Sequence, residues 1–531
     1  MRSLALLGAF LVACAPAVRT PAPAAPQYDL LITGGTVIDG TGAARYRADV
    51  AITGDRIALV SRDPIAPATA RRTIDATGLI VSPGFIDLHA HIEGLLRLPD
   101  AESHVRQGVT TALGGPDGGG PWPFAAYLDS AQALGVGMNV AYLVGHNTIR
   151  RNVMQLADRD PTAGELDQMR GMVAQAMREG AFGLSTGLRY LPGTFSKTDE
   201  VVALSKVAGD SGGIYTSHLR EEGLGVIEGV AEAIEIGRRT GIIVVLTHHK
   251  VIGKQMWGQS VRTLAMVDSA RTAGIDVRID QYPYTATSTG IGVLVPTWAL
   301  AGGDSAFERR LASPVLRDSI VRGIIQLLLT DRGGGDLSRV QFARVGWQQT
   351  LEGRTLQDWA VERGLPPTPE TGAQLVIEAV QRGGASAIYH VLEEGDVERI
   401  MRHPQTMIAS DGSLSRPGSG HPHPRAYGTF PRVLGRYVRE RHVLTLEDAI
   451  HKMTGMPAAT LKLTDRGALR AGARADITIF DANTVADLAT FQQPHQYPTG
   501  IPYVVVNGTL AVDGGRFTGA RAGRVIRRGR S

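Results

Sequence analysis

The sequence predicts an α/β protein: a (β/α)8 TIM barrel carrying a small β-sandwich built from both chain ends. Three observations predict it. Eight apolar, strand-like runs recur through the middle of the chain, helical stretches separate them, and β-rich segments flank the whole. Strands alternating with helices argue for a parallel sheet, and eight such units for a closed barrel. A doubly wound open sheet is the alternative, but no glycine-rich phosphate fingerprint follows the first strand.

The chain opens with "MRSLALLGAFLVACAP", where Arg2 precedes an apolar run from Leu4 to Ala13 that is too short to span a bilayer as a helix. The only cysteine, Cys14, directly follows "LVA". The stretch resembles a bacterial lipoprotein signal, in which cleavage leaves the cysteine as a lipidated first residue. A cysteine standing by chance in a secretory signal is the other reading. "APAVRTPAPAAPQ" then reads as an extended linker, so residues 1–27 form signal and tether. Ala15, in place of Asp, favours the outer membrane in such lipoproteins. The expected location is therefore the periplasmic face of that membrane.

From residue 28, "YDLLITGGTVIDG", "ADVAITGDRIALV" and "RRTIDATGLIVSPG" are short strands split by Gly/Asp turns; "GALRAGARADITIFD" and "YVVVNGTLAVDGGRF" read the same way near the other end. Residues 28–80 and 466–525 are thus expected to form the sandwich, and 81–465 the barrel. The barrel strands are "LIVSPGFIDLHAH", "GVTTALGGPD", "GMNVAYLVGHN", "AFGLSTGL", "GGIYTSHLR", "GIIVVLTHHK", "IDVRIDQYPY" and "QTMIASDG". Helices such as "TAGELDQMRGMVAQAMREG" and "GLGVIEGVAEAIEIGRRTG" intervene, each with helical apolar spacing and a glycine stop. The excess from about 290 to 390 is too long for a bare loop and reads as a lid-like insertion over the barrel mouth.

Composition narrows the function classes. Hydrophobic content of 43% and charged content of 20% describe a globular chain, not a disordered one. The net charge of +4 is small for 531 residues, and aromatic content of 5% supplies no stacking platform, which together exclude nucleic acid as partner. The basic "RVIRRGR" end reads as a solvated tail.

Chemistry gathers at the strand ends. Strand one ends in His89 and His91, strand five in His218, strand six in His248 and His249, and strand eight in Asp411. In a (β/α)8 barrel those ends meet at one face, where active sites sit. Imidazoles with a carboxylate suit Zn²⁺, and on the lipoprotein reading of Cys14 the mature chain would have no thiolate. Strand alternation puts His248 with Lys250, His218 with Arg220, and Asp280 with Tyr282 and Tyr284. Arg220 and Lys250 are candidates to hold an anionic substrate group, or else each pairs with Glu221, Glu222 or another acid. The tyrosines are phenol donors or packed aromatics. His421 and His423 in "GHPHP" read as loop structure near the pocket. His146 in "VGHN" is a substrate contact or a plain hydrogen-bonding residue.

Taken together, "GFIDLHAH", "GLSTGL", "SHLREE", "THHK", "DQYPYTATST", "IASDG" and "HPRAYGTFPRVLGRYVRE" closely resemble the amidohydrolase superfamily, and within it the D-aminoacylase (N-acyl-D-amino-acid deacylase) branch. The resemblance runs from about residue 28 to 525. It implies a zinc hydrolase with one or two ions, ligand roles for His89, His91, His218 and His248, and Asp411 as metal contact and general base. It also implies that Lys250, with Tyr190, Tyr282, Tyr284 or Arg220, holds the carboxylate of a small-molecule N-acyl amino acid. There is one departure. D-aminoacylases carry a metal-contacting cysteine after the second strand, and many other amidohydrolases use a carboxylated lysine on strand four. Here the first position is Asp117, and "AFGLSTGL" has no lysine. Asp117 is either a replacement ligand or an ordinary turn-former.

The resemblance makes hydrolysis of N-acyl-D-amino acids the expected activity. A D-residue dipeptidase, a dihydroorotase- or hydantoinase-like cyclic amidase, and a lipid-anchored protein that binds without catalysis are the alternatives.

Overall fold

A computed structural model describes residues 26–529. The lipidation candidate Cys14 and most of the Pro/Ala stretch lie outside the described residues.

Both chain ends meet in one nine-stranded sheet. Its order runs Arg516–Phe517, Thr509–Asp513, Tyr503–Val506, Ile477–Phe480, Ile80–Pro83, Tyr28–Val37, Tyr46–Thr53, Arg56–Ser61, with Ala70–Asp75 also paired to Tyr28–Val37. The join is antiparallel, Ile477 opposite Pro83 and Phe480 opposite Ile80. Tyr28–Val37 pairs with Ala70–Asp75 along its first half and with Ile80–Pro83 at its end, and its register against Tyr46–Thr53 shifts between Ile32 and Gly35. Its core holds Ile32, Val50, Ile52, Ile477, Ile479 and Val505. Alternating β-branched residues dictate this, because every second side chain must leave water.

The barrel has eight parallel positions. Phe85–Asp87, Val109–Gly114 and Asn139–Tyr142 pair in that order. Val144–Gly145, which extends the third position, and then Gly183–Gly187, Ile214–His218, Ile243–Leu246, Val277–Gln281 and Thr406–Ile408 complete the eight. Closure comes from Gly412–Ser413 pairing with Ala90–His91, and from the Asp411 amide donating to the His89 carbonyl at 2.8 Å. The strands are buried on both faces, which explains their continuous apolar runs. Helix Ala163–Glu179 starts at a reciprocal Thr162/Glu165 capping box and stops at Gly180, in the left-handed region at φ 109°.

Between strands seven and eight, Thr287–Gly290, Ser386–Tyr389 and Val340–Arg344 form an antiparallel three-stranded sheet. Helices Pro314–Thr330 and Pro369–Gln381 pack with it around Ile320, Ile324, Leu328, Phe342, Trp359 and Val376. The basic C-terminal segment is a correction to the solvated tail: it is docked. Val525 bridges to Val140, Arg524 pairs with Asp55 at 2.6 Å and Arg527 with Asp129 at 2.5 Å. Arg528 donates to the Ala181 and Ser211 carbonyls, so these three cations are all engaged by the protein itself.

Candidate metal centre

At the strand ends the backbone leaves regular geometry. Three site residues adopt left-handed φ: Asp117 at 53°, His248 at 37° and Asp411 at 50°. Non-glycine residues there cost energy and persist where surrounding structure over-determines them. Around Asp117 the glycines are obligatory. Gly118 has φ 77°, and a Cβ there would sit 2.1 Å from Asn147 Oδ1. That tight turn swings the Asp117 carboxylate into the barrel mouth.

The side chains form two groups that share Asp117: His89, His91, Asp117 and Asp411, and Asp117, His218 and His248. His91 Nε2 lies 3.2 Å from Asp411 Oδ1 and 3.6 Å from Asp117 Oδ2. His89 Nε2 lies 3.5 Å from both Asp411 Oδ1 and Asp117 Oδ1. On the other side, His248 Nε2 is 3.3 Å from Asp117 Oδ1 and His218 Nδ1 is 3.5 Å from Asp117 Oδ2. Two donors at ~2.0 Å on a tetrahedral ion stand ~3.3 Å apart, so these spacings fit shared ions.

Burial gives an independent test. His89 Nε2 and Asp117 Oδ1, which face each other at 3.5 Å, are both buried without a hydrogen-bond partner. Orphans of this kind are rare unless an ion or water satisfies them. Nitrogen and carboxylate donors with no thiolate match Zn²⁺. Burial alone would raise the Asp117 carboxyl, yet His248, His89 and His218 outweigh it and hold it well below the usual range. Burial likewise opposes ionisation of Asp411, and Arg425, then His248, overcome it.

An outer ring of acids fixes the imidazoles. His91 Nδ1 is 3.1 Å from Glu93 Oε1, and His248 Nδ1 is 3.3 Å from Glu222 Oε1. Asp280 accepts from the His248 amide, and its Oδ2 lies 4.0 Å from His89 Nδ1. Such carboxylates fix which nitrogen faces inward.

Beside this centre lies a cavity of about 360 Å³ lined by His91, Asp117, Tyr190, Tyr282, Arg332 and Arg425 among others. Tyr282 is buried and its hydroxyl has no partner. Tyr190 accepts from Thr289 Oγ1 at 3.1 Å. Lys250 reaches the wall, but its ammonium donates to Glu222 Oε1 at 2.6 Å and to the His248 carbonyl at 2.9 Å. Its charge supports the histidine before it can serve a ligand.

Two expected substrate contacts are corrected. Arg220 grips Glu232 through Nε and Nη2, at 2.9 and 2.8 Å, and is not on the cavity wall. Its strand ends at His218, so alternation no longer governs where residue 220 points. Tyr284 is packed between His423 at 5.2 Å and Arg432 at 4.6 Å, also off the cavity wall. Strand Val277–Gln281 has already ended there. His146 is buried against Glu200 at 2.7 Å, and His423 caps the Ala286 carbonyl at 3.1 Å. Glu93, Arg332 and Arg425 also stand at the site without having been expected there, although Arg425 lies in the family-like stretch "HPRAYG". Arg425 donates to Asp411 Oδ2 at 2.7 Å.

A family model described as "Amidohydrolase family" matches residues 72–240 and 265–512. The chain belongs to the amidohydrolase family. This amidohydrolase is 38% identical over 537 residues to the N-acyl-D-glutamate deacylase of Alcaligenes xylosoxydans xylosoxydans, covering 94% of this chain and 97% of that one. It also resembles the solved N-acyl-D-glutamate deacylase of Bordetella bronchiseptica, complexed with zinc and a phosphonate mimic of the tetrahedral intermediate. That likeness has TM-score 0.80 and 35% identity, over 94% of this chain and 100% of that one. A D-aminoacylase structure concerned with a binuclear metal centre superposes with the same TM-score, 0.80, at 37% identity, over 94% of this chain and all of that one. The amidohydrolase barrel and its end-to-end β domain are thereby shared with enzymes of known metal chemistry.

Proposed function

We propose that this amidohydrolase cleaves the amide of N-acyl-D-amino acids, releasing a carboxylate and the free D-amino acid. The observation that carries the reading is Asp411: one oxygen faces His89 and His91, and the other is held by Arg425. His89, His91, Asp117 and Asp411 would hold one ion, and Asp117, His218 and His248 a second. Bound zinc lowers the pKa of water to ~7 and polarises the carbonyl under attack.

The chain's own residues do the rest. Asp411 takes the proton of the attacking water and returns it to the departing amine nitrogen, since one fixed carboxylate reaches both. Arg425 and the unpartnered Tyr282 hydroxyl both line the cavity and would offer donors to the substrate's α-carboxylate. Thr287–Gly290 and Ser386 bring the insertion against the cavity, where it would exclude water as a lid. The D configuration is supported by the likeness to a deacylase of N-acyl-D-glutamate and to a D-aminoacylase. Cys14 as a lipidated first residue would tether the enzyme to the outer membrane, facing the periplasm.

The test is a zinc-loaded assay on paired N-acetyl-D- and N-acetyl-L-amino acids. Turnover of the D series is expected, with Asp411→Asn lowering kcat by about 10²–10⁴-fold while the fold is kept. Selectivity for the L series would remove the D assignment. Inertness towards every amide would favour a binding protein.

A further inference from the structure

Arg332 is buried, 2% exposed, and lines the catalytic cavity beside Tyr190 and Thr287. It comes from the insertion, not from the barrel. Helix Pro314–Thr330 ends just before it, and Gly333, Gly334 and Gly335, with φ of 151°, 60° and 82°, reverse the chain just after it. Side-chain-bearing residues enter that region at a cost, so the glycines permit the turn that places this guanidinium inside.

The guanidinium is poorly satisfied. Nη1 donates to Thr287 Oγ1 at 2.8 Å, whereas Nε is buried without a partner. Its nearest acids are Asp331, 3.5 Å from Nε, and Glu222, 3.8 Å from Nη2. Both exceed the ~2.7–2.9 Å of a charge-assisted hydrogen bond. Both acids also have other cations. Glu222 is held by Lys250 at 2.6 Å, and Asp331 lies 3.3 Å from Arg189. A buried guanidinium with so few hydrogen bonds is costly unless a ligand completes it.

We infer that Arg332 is a specificity-determining residue which binds a carboxylate on the side chain of the substrate, so that the enzyme selects acidic N-acyl-D-amino acids. The inference rests on the deacylase reading above, in which Arg425 takes the α-carboxylate. Two guanidiniums in one cavity then match the two carboxylates of a dicarboxylic amino acid. A planar fork whose Nε and Nη2 come no nearer than 3.5 and 3.8 Å to Asp331 and Glu222 can donate to a carboxylate bidentately, and neutral side chains would leave it without that partner.

The experiment compares N-acetyl-D-glutamate with its neutral isostere N-acetyl-D-glutamine on the zinc-loaded enzyme. Wild type is expected to favour the glutamate by at least about tenfold in kcat/KM. Arg332→Gln should cost the glutamate about 10- to 100-fold, chiefly through KM, and move the glutamine by less than about threefold. Arg332→Lys, which keeps the charge, should restore part of the loss and carries the same comparison if the glutamine variant does not fold. Equal losses on both substrates would make Arg332 a structural latch on Glu222 and Thr287 and overturn the inference, as would a wild type without preference. Thermal stabilisation by D-glutamate against D-glutamine reads the same pocket without turnover. An Arg332-dependent preference there supports the inference even if no amide is cleaved, in which case the reaction assignment alone falls. No preference overturns it even if N-acyl-D-amino acids are hydrolysed.

Discussion

Asp117 Oδ1 lies 3.3 Å from His248 Nε2, joining the turn after the second barrel strand to the end of the sixth. The same carboxylate reaches His91 at 3.6 Å on the other side, so one acid belongs to both ligand groups. Replacing Asp117 with Asn keeps the shape and removes the charge that balances the surrounding imidazoles. Zinc affinity should fall by at least about 100-fold, read by chelator competition and elemental analysis of the purified protein. Wild-type zinc content in the variant would return Asp117 to the role of a turn residue.

Arg425 and Asp411 form a buried pair at 2.7 Å. Arg425→Gln removes both the clamp on the base and the cation assigned to the α-carboxylate. KM for N-acyl-D-amino acids should rise about 10- to 100-fold and kcat should fall as well, because the Asp411 carboxylate loses its fixed orientation. An unchanged KM would show that the substrate's carboxylate lies elsewhere.

Arg220 offers the contrasting outcome. Its bidentate contact with Glu232 is partly buried, at 28% and 13% side-chain exposure. Arg220→Met should lower stability by about 1 kcal/mol and leave kcat/KM within about threefold of wild type. A large rise in KM with unchanged melting would restore it as a substrate contact.

His104 supplies a pH test from a residue that contacts none of the proposed metal ligands directly, although its neighbour Asp87 accepts from the His89 amide. It is fully buried, with Ser103 at 3.3 Å and Asp87 Oδ2 at 3.8 Å, and burial pushes its imidazole down to about 4. An unfolded histidine titrates near ~6.5, so below that pH the unfolded chain binds the extra proton. The stability this group contributes is therefore complete above ~6.5 and is lost as pH falls towards about 4. Asp87 adds a slope of the opposite sign, because burial raises its carboxyl to about 6. His104→Gln should flatten the acid-side fall of melting temperature relative to wild type. An unaltered slope would mean that His104 does not govern it.

Much of the site was legible along the chain because its signals are local. His89 and His91 sit two apart, and His218, His248 and Asp411 each close an apolar run, so a barrel places them at one rim. Alternation then failed where it was carried past the strand ends. Arg220 turned to Glu232, and Tyr284 went into packing with His423. Arg332 carried no signal at all: a single arginine before three glycines is indistinguishable from a surface turn until the insertion folds.

The sequence by itself determined the closed barrel, the end-to-end β domain and the imidazole donors, because hydrophobic period and strand termini are properties of neighbouring residues. Only the tertiary structure decided that Asp117 is shared between two donor groups, that Lys250 is occupied by Glu222, and that Arg332 and Arg425 face one cavity. Charge partners are chosen by distance in space after packing has fixed the backbone. That distance does not depend on separation along the chain.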